Sequence, residues 1–528
     1  MDGTGAPWFA ADVGITGDRI AAIGRLGDRQ ASRRIDATGL VVAPGFIDML
    51  GQSEFSVLVD GRAASKVTQG VTTELTGEGS SIAPMNDRLF DLAKPQYERN
   101  GLTLDFRTLE EYLRRLETRS KTAINVGTFV GAGGVRSMVI GDGQHTATDA
   151  ELVQMKKLVA DAMEQGALGL STSLQYVPSR FASTDEIVAL ASVAAQYGGI
   201  YITHQRSESA QIDASLDEVF TVAERARIPA EIWHLKAAYK ANWGRMPQVL
   251  KRIADARARG LDITADVYPY DRASNGLDAC LPIWVRDGGT EPMIGRLKDP
   301  SQRERIRREM DDPNVKEWEN QWYGSGGAAG VMLSAVVEPS LKQYEGMTFD
   351  KIAAAMKKDP RDAVMDIVVA DLGRSDVITA IMNPDDVRAA LADPLVAIGT
   401  DSGARAVDGP MSGTKSHPRG WGSFPRILGR YVREERLLTL EEAIRRFTSR
   451  PASRVGMTDR GILRPGMKAD ITLFDPATVR DVATFEDPAH YSEGIRYVLV
   501  NGQLVVDSGR ITEARPGQVV RGPGYHRR

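Results

Sequence analysis

Six histidines stand in the 528-residue chain, few enough to weigh one at a time. His204 closes the apolar run Gly199-Ile200-Tyr201-Ile202-Thr203, and His234 closes Ala230-Glu231-Ile232-Trp233. Runs of this kind read as buried strands of a parallel sheet, and a residue that ends one emerges at the edge where barrel enzymes assemble their sites. Taken alone, a strand-end histidine is more often a satisfied core residue than a ligand. Two on consecutive strands point both imidazoles into one mouth, and neutral imidazole nitrogens suit Zn2+.

A third ligand of harder character has to come from another strand end. Glu78, in Thr73-Glu74-Leu75-Thr76-Gly77-Glu78-Gly79-Ser80, follows a strand within a glycine-rich turn, where a carboxylate serves equally as a turn or capping residue. Asp401, in Val396-Ala397-Ile398-Gly399-Thr400-Asp401-Ser402-Gly403, follows the last apolar run and faces the same mouth. Its structural alternative is to cap the next helix. The remaining histidines carry less: His145 and His526 read as exposed, His490 as structural in the β-rich C-terminal region, and His417 as packing in a Gly- and Pro-rich loop.

The elements that must position these residues follow from patterning. Apolar β-branched runs near Val41 to Asp48, Thr72 to Leu75, Ala123 to Phe129, Leu168 to Ser171, Ile200 to Thr203, Ala230 to Trp233, Asp262 to Val267 and Leu395 to Gly399 alternate with amphipathic stretches such as Ala150 to Glu164, Thr184 to Tyr197 and Leu440 to Thr448. This alternation predicts an α/β protein, a (β/α)8 barrel of the TIM type, over residues 46–454. No Gly-x-Gly-x-x-Gly follows an early strand and no Gly-Lys-Ser/Thr loop occurs, which removes support for an open nucleotide-binding sheet. At about 282–340 the chain turns polar, charged and then Gly-rich, and is read as an insertion after the seventh strand. Short alternating strands with Gly and Asp turns at 1–45 and 455–528 predict a small β-sandwich domain built from both chain ends. Met1 to Gly5 reads as a turn with no strand ahead of it to pair with Ile20 to Ile23, as though a leader or first strand were missing.

Composition narrows the partners. A net charge of −4 with both signs dispersed offers no field for nucleic acid or an anionic membrane, and no run approaches the length of a membrane span. The single cysteine, Cys280, excludes an intramolecular disulfide and a Cys-clustered metal site. The sequence therefore reads as a soluble protein, cytoplasmic by default with export as the alternative, and it leaves homo-oligomer formation open.

Several blocks together carry a resemblance. Pro44-Gly45-Phe46-Ile47-Asp48 resembles the way amidohydrolase-superfamily barrels begin. Gly70-Val71-Thr72-Thr73, the stretch Gly169 to Tyr176, Thr203-His204-Gln205-Arg206-Ser207-Glu208, Trp233-His234-Leu235-Lys236 and Asp266-Val267-Tyr268-Pro269-Tyr270 are similar to the N-acyl-D-amino-acid deacylase (D-aminoacylase) family. The stretches His417 to Arg426 and Ala483 to Gly494 are the most specific, and the likeness runs from about residue 2 to about residue 515. The resemblance implies a barrel with a β-sandwich and zinc-assisted hydrolysis of an N-acyl amide. It implies that His204 and His234 bind zinc, that Asp401 is catalytic, and that Lys236, Tyr268 and Arg419 hold a substrate carboxylate. Tyr176 matches an active-site tyrosine, with Tyr270 as the alternative to Tyr268.

Two departures matter. Where the family has His-x-His after Ile-Asp, this chain has Asp48-Met49-Leu50-Gly51-Gln52, and leucine cannot bind a metal. Where the deacylases place a bridging cysteine, it has Gly77-Glu78-Gly79, a carboxylate for a thiolate. The surviving set, Glu78, His204 and His234, has the His2Glu composition of catalytic zinc, so one Zn2+ per chain is expected. One metal suffices, since zinc acidifies a water and polarises a carbonyl while Asp401 shuttles the proton. The expected substrate is a small molecule or short peptide with a free carboxylate. Rival readings are a dipeptidase or carboxypeptidase-like enzyme, a cyclic-amide hydrolase on the same scaffold, and a non-catalytic binding protein with a degenerate metal site.

Overall fold

The computed structural model describes residues 1–315 and 318–526; two residues of the expected insertion and the last two of the expected sandwich lie outside it. Eight parallel strands form the centre: β1 (Phe46–Asp48), β2 (Val71–Thr76), β3 (Asn125–Thr128 continued by Val130–Gly131), β4 (Gly169–Ser173), β5 (Ile200–His204), β6 (Ala230–Ile232), β7 (Ile263–Val267) and β8 (Val396–Ile398). Each pairs in parallel with its sequence neighbour. Across the break in β3 the ladder continues through Phe129 N–H to Thr76 O at 2.9 Å and Leu168 N–H to Thr128 O at 2.9 Å. The ring closes between β8 and β1 through Met49 N–H to Ile398 O at 3.2 Å, Asp401 N–H to Leu50 O at 2.7 Å and a parallel bridge between Gly51 and Ser402. The fold is a (β/α)8 barrel.

Alternate residues of these strands fill the barrel interior: Ile47, Leu75, Phe129, Ile202, Trp233 and Ala397 belong to one buried cluster. The opposite strand faces pack against the helices in a larger cluster. Helices start where the sequence signals them; Asp149–Gln165 begins at a capping box of Thr148 and Glu151, and Leu109–Thr118 at one of Thr108 and Glu111.

The apolar run predicted as one strand over Val41 to Asp48 is split. Val41–Pro44 pairs antiparallel with Ile471–Phe474, and only Phe46–Asp48 enters the barrel. Gly45 sits at the crossover, where a Cβ would come within 2.2 Å of the Thr72 side chain. The antiparallel sheet runs Arg510–Ile511, Gln503–Asp507, Ile495–Val500, Ile471–Phe474, Val41–Pro44, so both chain ends contribute. Arg19–Gly24 does have a partner strand, the immediately preceding Asp12–Thr16, in a hairpin. Between β7 and β8 a three-stranded antiparallel sheet, Ala273–Gly276, Asp376–Thr379 and Val331–Ala335, carries its own core from Leu277 to Val377, wider than the 282–340 read from polarity. Among the described residues no helix is long and apolar enough to cross a membrane.

Candidate active site

The C-terminal ends of the strands open on one cavity of about 380 Å³, lined by Gln52, Glu78, Tyr176, His204, His234, Lys236, Tyr268, Asp401, His417 and Arg419 among others. All the residues singled out in the sequence, except Tyr270, therefore reach one place. Tyr270 is buried behind His417, its hydroxyl donating to Asp481 Oδ2 at 3.3 Å and its ring covered by Arg426, so the structure corrects its assignment to substrate binding.

Ligand atoms of Glu78, His204 and His234 lie within 4.8 Å of one another. Both imidazoles converge on one carboxylate oxygen: His204 Nδ1 is 3.1 Å and His234 Nε2 3.4 Å from Glu78 Oε1. The nitrogen turned away from Glu78 is held in each case. His204 Nε2 meets Gln175 Oε1 at 2.7 Å, an acceptor, so Nε2 donates there and Nδ1 is the nitrogen that a metal would take in place of a proton. His234 Nδ1 lies 3.0 Å from Glu208 Oε1, which also takes Lys236 Nζ at 2.7 Å. A proton given by Nδ1 to Glu208 leaves Nε2 free as a ligand, whereas one accepted by Nδ1 from Lys236, 2.7 Å away, would not. A carboxylate behind a histidine is the usual device for holding the metal-binding tautomer. Two imidazole nitrogens and one carboxylate oxygen gathered at one place suit a divalent metal such as zinc, which would replace the protons that the carboxylate holds on the rings. Burial works against charge on Glu208, and Lys236, His204 and His234 override it, holding its carboxyl below the usual range.

His234 and Asp401 both adopt left-handed backbone, with φ of 35° and 49°. Such conformations in non-glycine residues persist only where surroundings enforce them. His234 is enforced by β7, through its own N–H to Asp266 Oδ1 at 2.8 Å and Leu235 N–H to Asp266 O at 2.9 Å. Asp401 is enforced from below by Lys66, which is completely buried. Its ammonium donates to Asp48 Oδ2, Thr400 Oγ1 and Ser402 O, each at 2.7 Å, gripping the residues on both sides of Asp401. No helix starts at Asp401, which disposes of a capping role. Burial pushes its carboxyl above the ordinary range against the pull of Arg419 and His234, a useful direction for a proton acceptor.

Arg419 reaches the cavity because His417 bends the loop. Arg419 N–H donates to His417 Nδ1 at 3.0 Å, and Nε2 donates to Arg272 O at 3.0 Å. Both nitrogens of His417 are thus spent on backbone, as a loop-packing residue requires. The guanidinium stacks over Tyr268 at 4.6 Å, approaches Asp401 Oδ2 at 2.7 Å and donates to Ser274 O at 3.2 Å. Of its donors Nη1 is spent on the Asp401 ion pair, whereas Nε makes no hydrogen bond. Unsatisfied buried donors cost about 1–3 kcal/mol each, and an incoming carboxylate would remove that cost. Lys236 differs: its ammonium is already ion-paired with Glu208 at 2.7 Å.

Tyr176 stacks edge-on against His204, ring centroids 5.0 Å apart. Leu50 is fully buried in the barrel's inner cluster and faces no ligand position. Outside the site, His145 is exposed beside Glu151 as read, whereas His490, read as structural, is exposed beside Asp487. Sequence reasoning assigned no role to Gln52, Gln175 or Glu208, although the last two stood inside quoted motifs. Nor did it single out Arg405 and Asp376 on the polar far wall, where burial pushes Asp376 up to about 6.

The amidohydrolase family profile matches residues 33–274 and 344–506. A D-aminoacylase of Alcaligenes xylosoxydans xylosoxydans is 34% identical over 521 residues, covering 98% of this chain and 95% of that protein. An N-acyl-D-glutamate deacylase of the same organism is 34% identical over 522 residues, covering 99% and 94%. Among solved structures, the N-acyl-D-glutamate deacylase of Bordetella bronchiseptica, complexed with zinc and a phosphonate that mimics the tetrahedral intermediate, superposes with a TM-score of 0.80 at 32% identity, covering 99% of this chain and 97% of that one. A D-aminoacylase described as having a binuclear centre, activated by one metal and attenuated by a second, gives 0.80 at 32%, covering 98% and 97%.

Proposed function

The chain belongs to the amidohydrolase family, and from that premise we propose that it is a metal-dependent hydrolase that deacylates N-acyl-D-amino acids. The observation that carries this reading is the meeting, in one cavity, of a Glu78-His204-His234 ligand set with a buried arginine, Arg419, that is ion-paired to Asp401 and stacked over Tyr268. One divalent ion per chain, zinc by donor type, would be held by those three side chains, and when bound it supplies Lewis acidity toward the scissile carbonyl and a water molecule.

The chain's own residues do the rest. Arg419, backed by Tyr268 and Lys236, takes the substrate carboxylate and so fixes the amide relative to the ligand set. Asp401, held by Lys66 and the β1–β8 closure, accepts a proton from the attacking water and delivers it to the departing amine nitrogen. Gln175 and Glu208 keep the histidines in their metal-binding tautomers. Tyr176 walls the cavity beside His204. Residues 1–45 and 455–528 make a small β domain that supports the barrel, and the segment between β7 and β8 supplies the polar far wall.

Profiling N-acetyl-D-amino acids, their L enantiomers and dipeptides tests the reading. The D series should be hydrolysed best, and greater turnover of dipeptides or L substrates would refute it.

A further inference from the structure

Between the ligand set and Asp401 stands Gln52, whose place is set by barrel closure. Its backbone N–H donates to Ser402 O at 3.2 Å, next to the Gly51–Ser402 bridge, so the side chain projects beside the Asp401 loop. Its Nε2 lies 2.8 Å from Glu78 Oε2 and 2.9 Å from Asp401 Oδ1. An amide has two N–H protons, and here each carboxylate takes one. The other carboxylate oxygens face apart, Glu78 Oε1 toward the two histidines and Asp401 Oδ2 toward Arg419 Nη1 at 2.7 Å.

Two carboxylates that share a neighbour at this range repel, and something of positive polarity must sit between them. A cation is the common solution. Here the amide fills that place, and Leu50, two positions earlier, offers a cation no donor atom.

We propose that Gln52 is a positioning residue that stands in for a second cation, tying the proton-transfer carboxylate of Asp401 to the ligand carboxylate of Glu78 and holding the site to one metal. The proposal rests on Glu78, His204 and His234 being the metal ligands. A covalently attached bridge cannot be gained or lost with metal supply, so the spacing of the two carboxylates is constant and activity is indifferent to excess zinc.

The test dialyses wild type, Gln52→Leu and Gln52→Glu against graded zinc and measures zinc per chain, with kcat and KM on N-acetyl-D-amino acids. Wild type should hold one zinc and neither take a second nor lose rate in about 100-fold excess. Gln52→Leu removes the donors at similar volume; it should keep its zinc and its KM while kcat falls about 10- to 100-fold, the usual effect of losing a group that orients a ligand. Gln52→Glu places a third carboxylate at the gap and should take a second zinc. A wild type that binds the second zinc as readily as Gln52→Glu, or a Gln52→Leu variant with unchanged kcat, overturns the proposal. The first equivalent reports on the ligand set separately, because a wild type that binds no zinc overturns the underlying reading before Gln52 is at issue.

Discussion

His204 Nε2 and Gln175 Oε1 are 2.7 Å apart, and that contact decides which nitrogen of His204 can face a metal. Gln175→Leu removes the acceptor and frees the ring to change tautomer. Zinc affinity, measured by competition with a calibrated chelator, should fall about 10- to 100-fold. Unchanged affinity would show that the contact does not set the tautomer.

Arg419 is a buried cation that lines the cavity beside Asp401, so its loss should be felt through the substrate carboxylate. Arg419→Ala should lower kcat/KM for an N-acyl amino acid by about 10- to 1000-fold, on the scale of one or two charged hydrogen bonds. The corresponding carboxamide should lose far less. Equal losses for acid and amide would remove Arg419 from carboxylate binding.

Lys66 is the buried cation beneath the site, between Asp48 and Glu74, which are also completely buried. Lys66→Met leaves two like charges unpaired and should destabilise the fold by about 3–5 kcal/mol. Urea unfolding measures this, and Asp48→Asn added to Lys66→Met should recover part of the loss. A Lys66→Met variant as stable as wild type would contradict the network.

Much of this was legible from the chain and some was not, for physical reasons. Strand-end positions of His204, His234 and Asp401 follow from apolar runs whose length and spacing allow little else, so the barrel and its mouth were accessible. Glu78 was ambiguous in isolation because a carboxylate between glycines is also a turn residue, and the family likeness supplied the ligand reading. The split at Gly45 was invisible because Val41 to Asp48 is one apolar run; only pairing with Ile471–Phe474 separates it. Tyr268 and Tyr270 are separated by a bend at Pro269 just past β7, and only the first lines the cavity. The polar partners Gln52, Gln175 and Glu208 earn their places through contacts between distant segments, and periodicity does not report these.

Burial pushes the carboxyl of Glu54 up to about 7, from 4.5, while Thr128 Oγ1 donates to it at 2.8 Å. A carboxyl raised in the folded state binds more protons than the unfolded chain between those values. The Glu54 contribution to stability therefore falls as pH rises from about 4.5 to about 7 and levels off above. Glu54→Gln should lose this component and be relatively more stable than wild type above pH 7. Thermal melts across pH 4 to 9 read it, and superimposable profiles for the two proteins would contradict it.

The central claim, a ligand set and a separate proton-transfer carboxylate in one cavity, is tested most directly by measuring zinc content and kcat together in Glu78→Gln and Asp401→Asn. Glu78→Gln should lose zinc and activity in step, because it removes the charge facing both histidines. Asp401→Asn should keep its zinc while kcat falls by at least about 100-fold, the low end for loss of a general base. Near-normal turnover by zinc-loaded Asp401→Asn, or full zinc and rate in Glu78→Gln, would contradict the account.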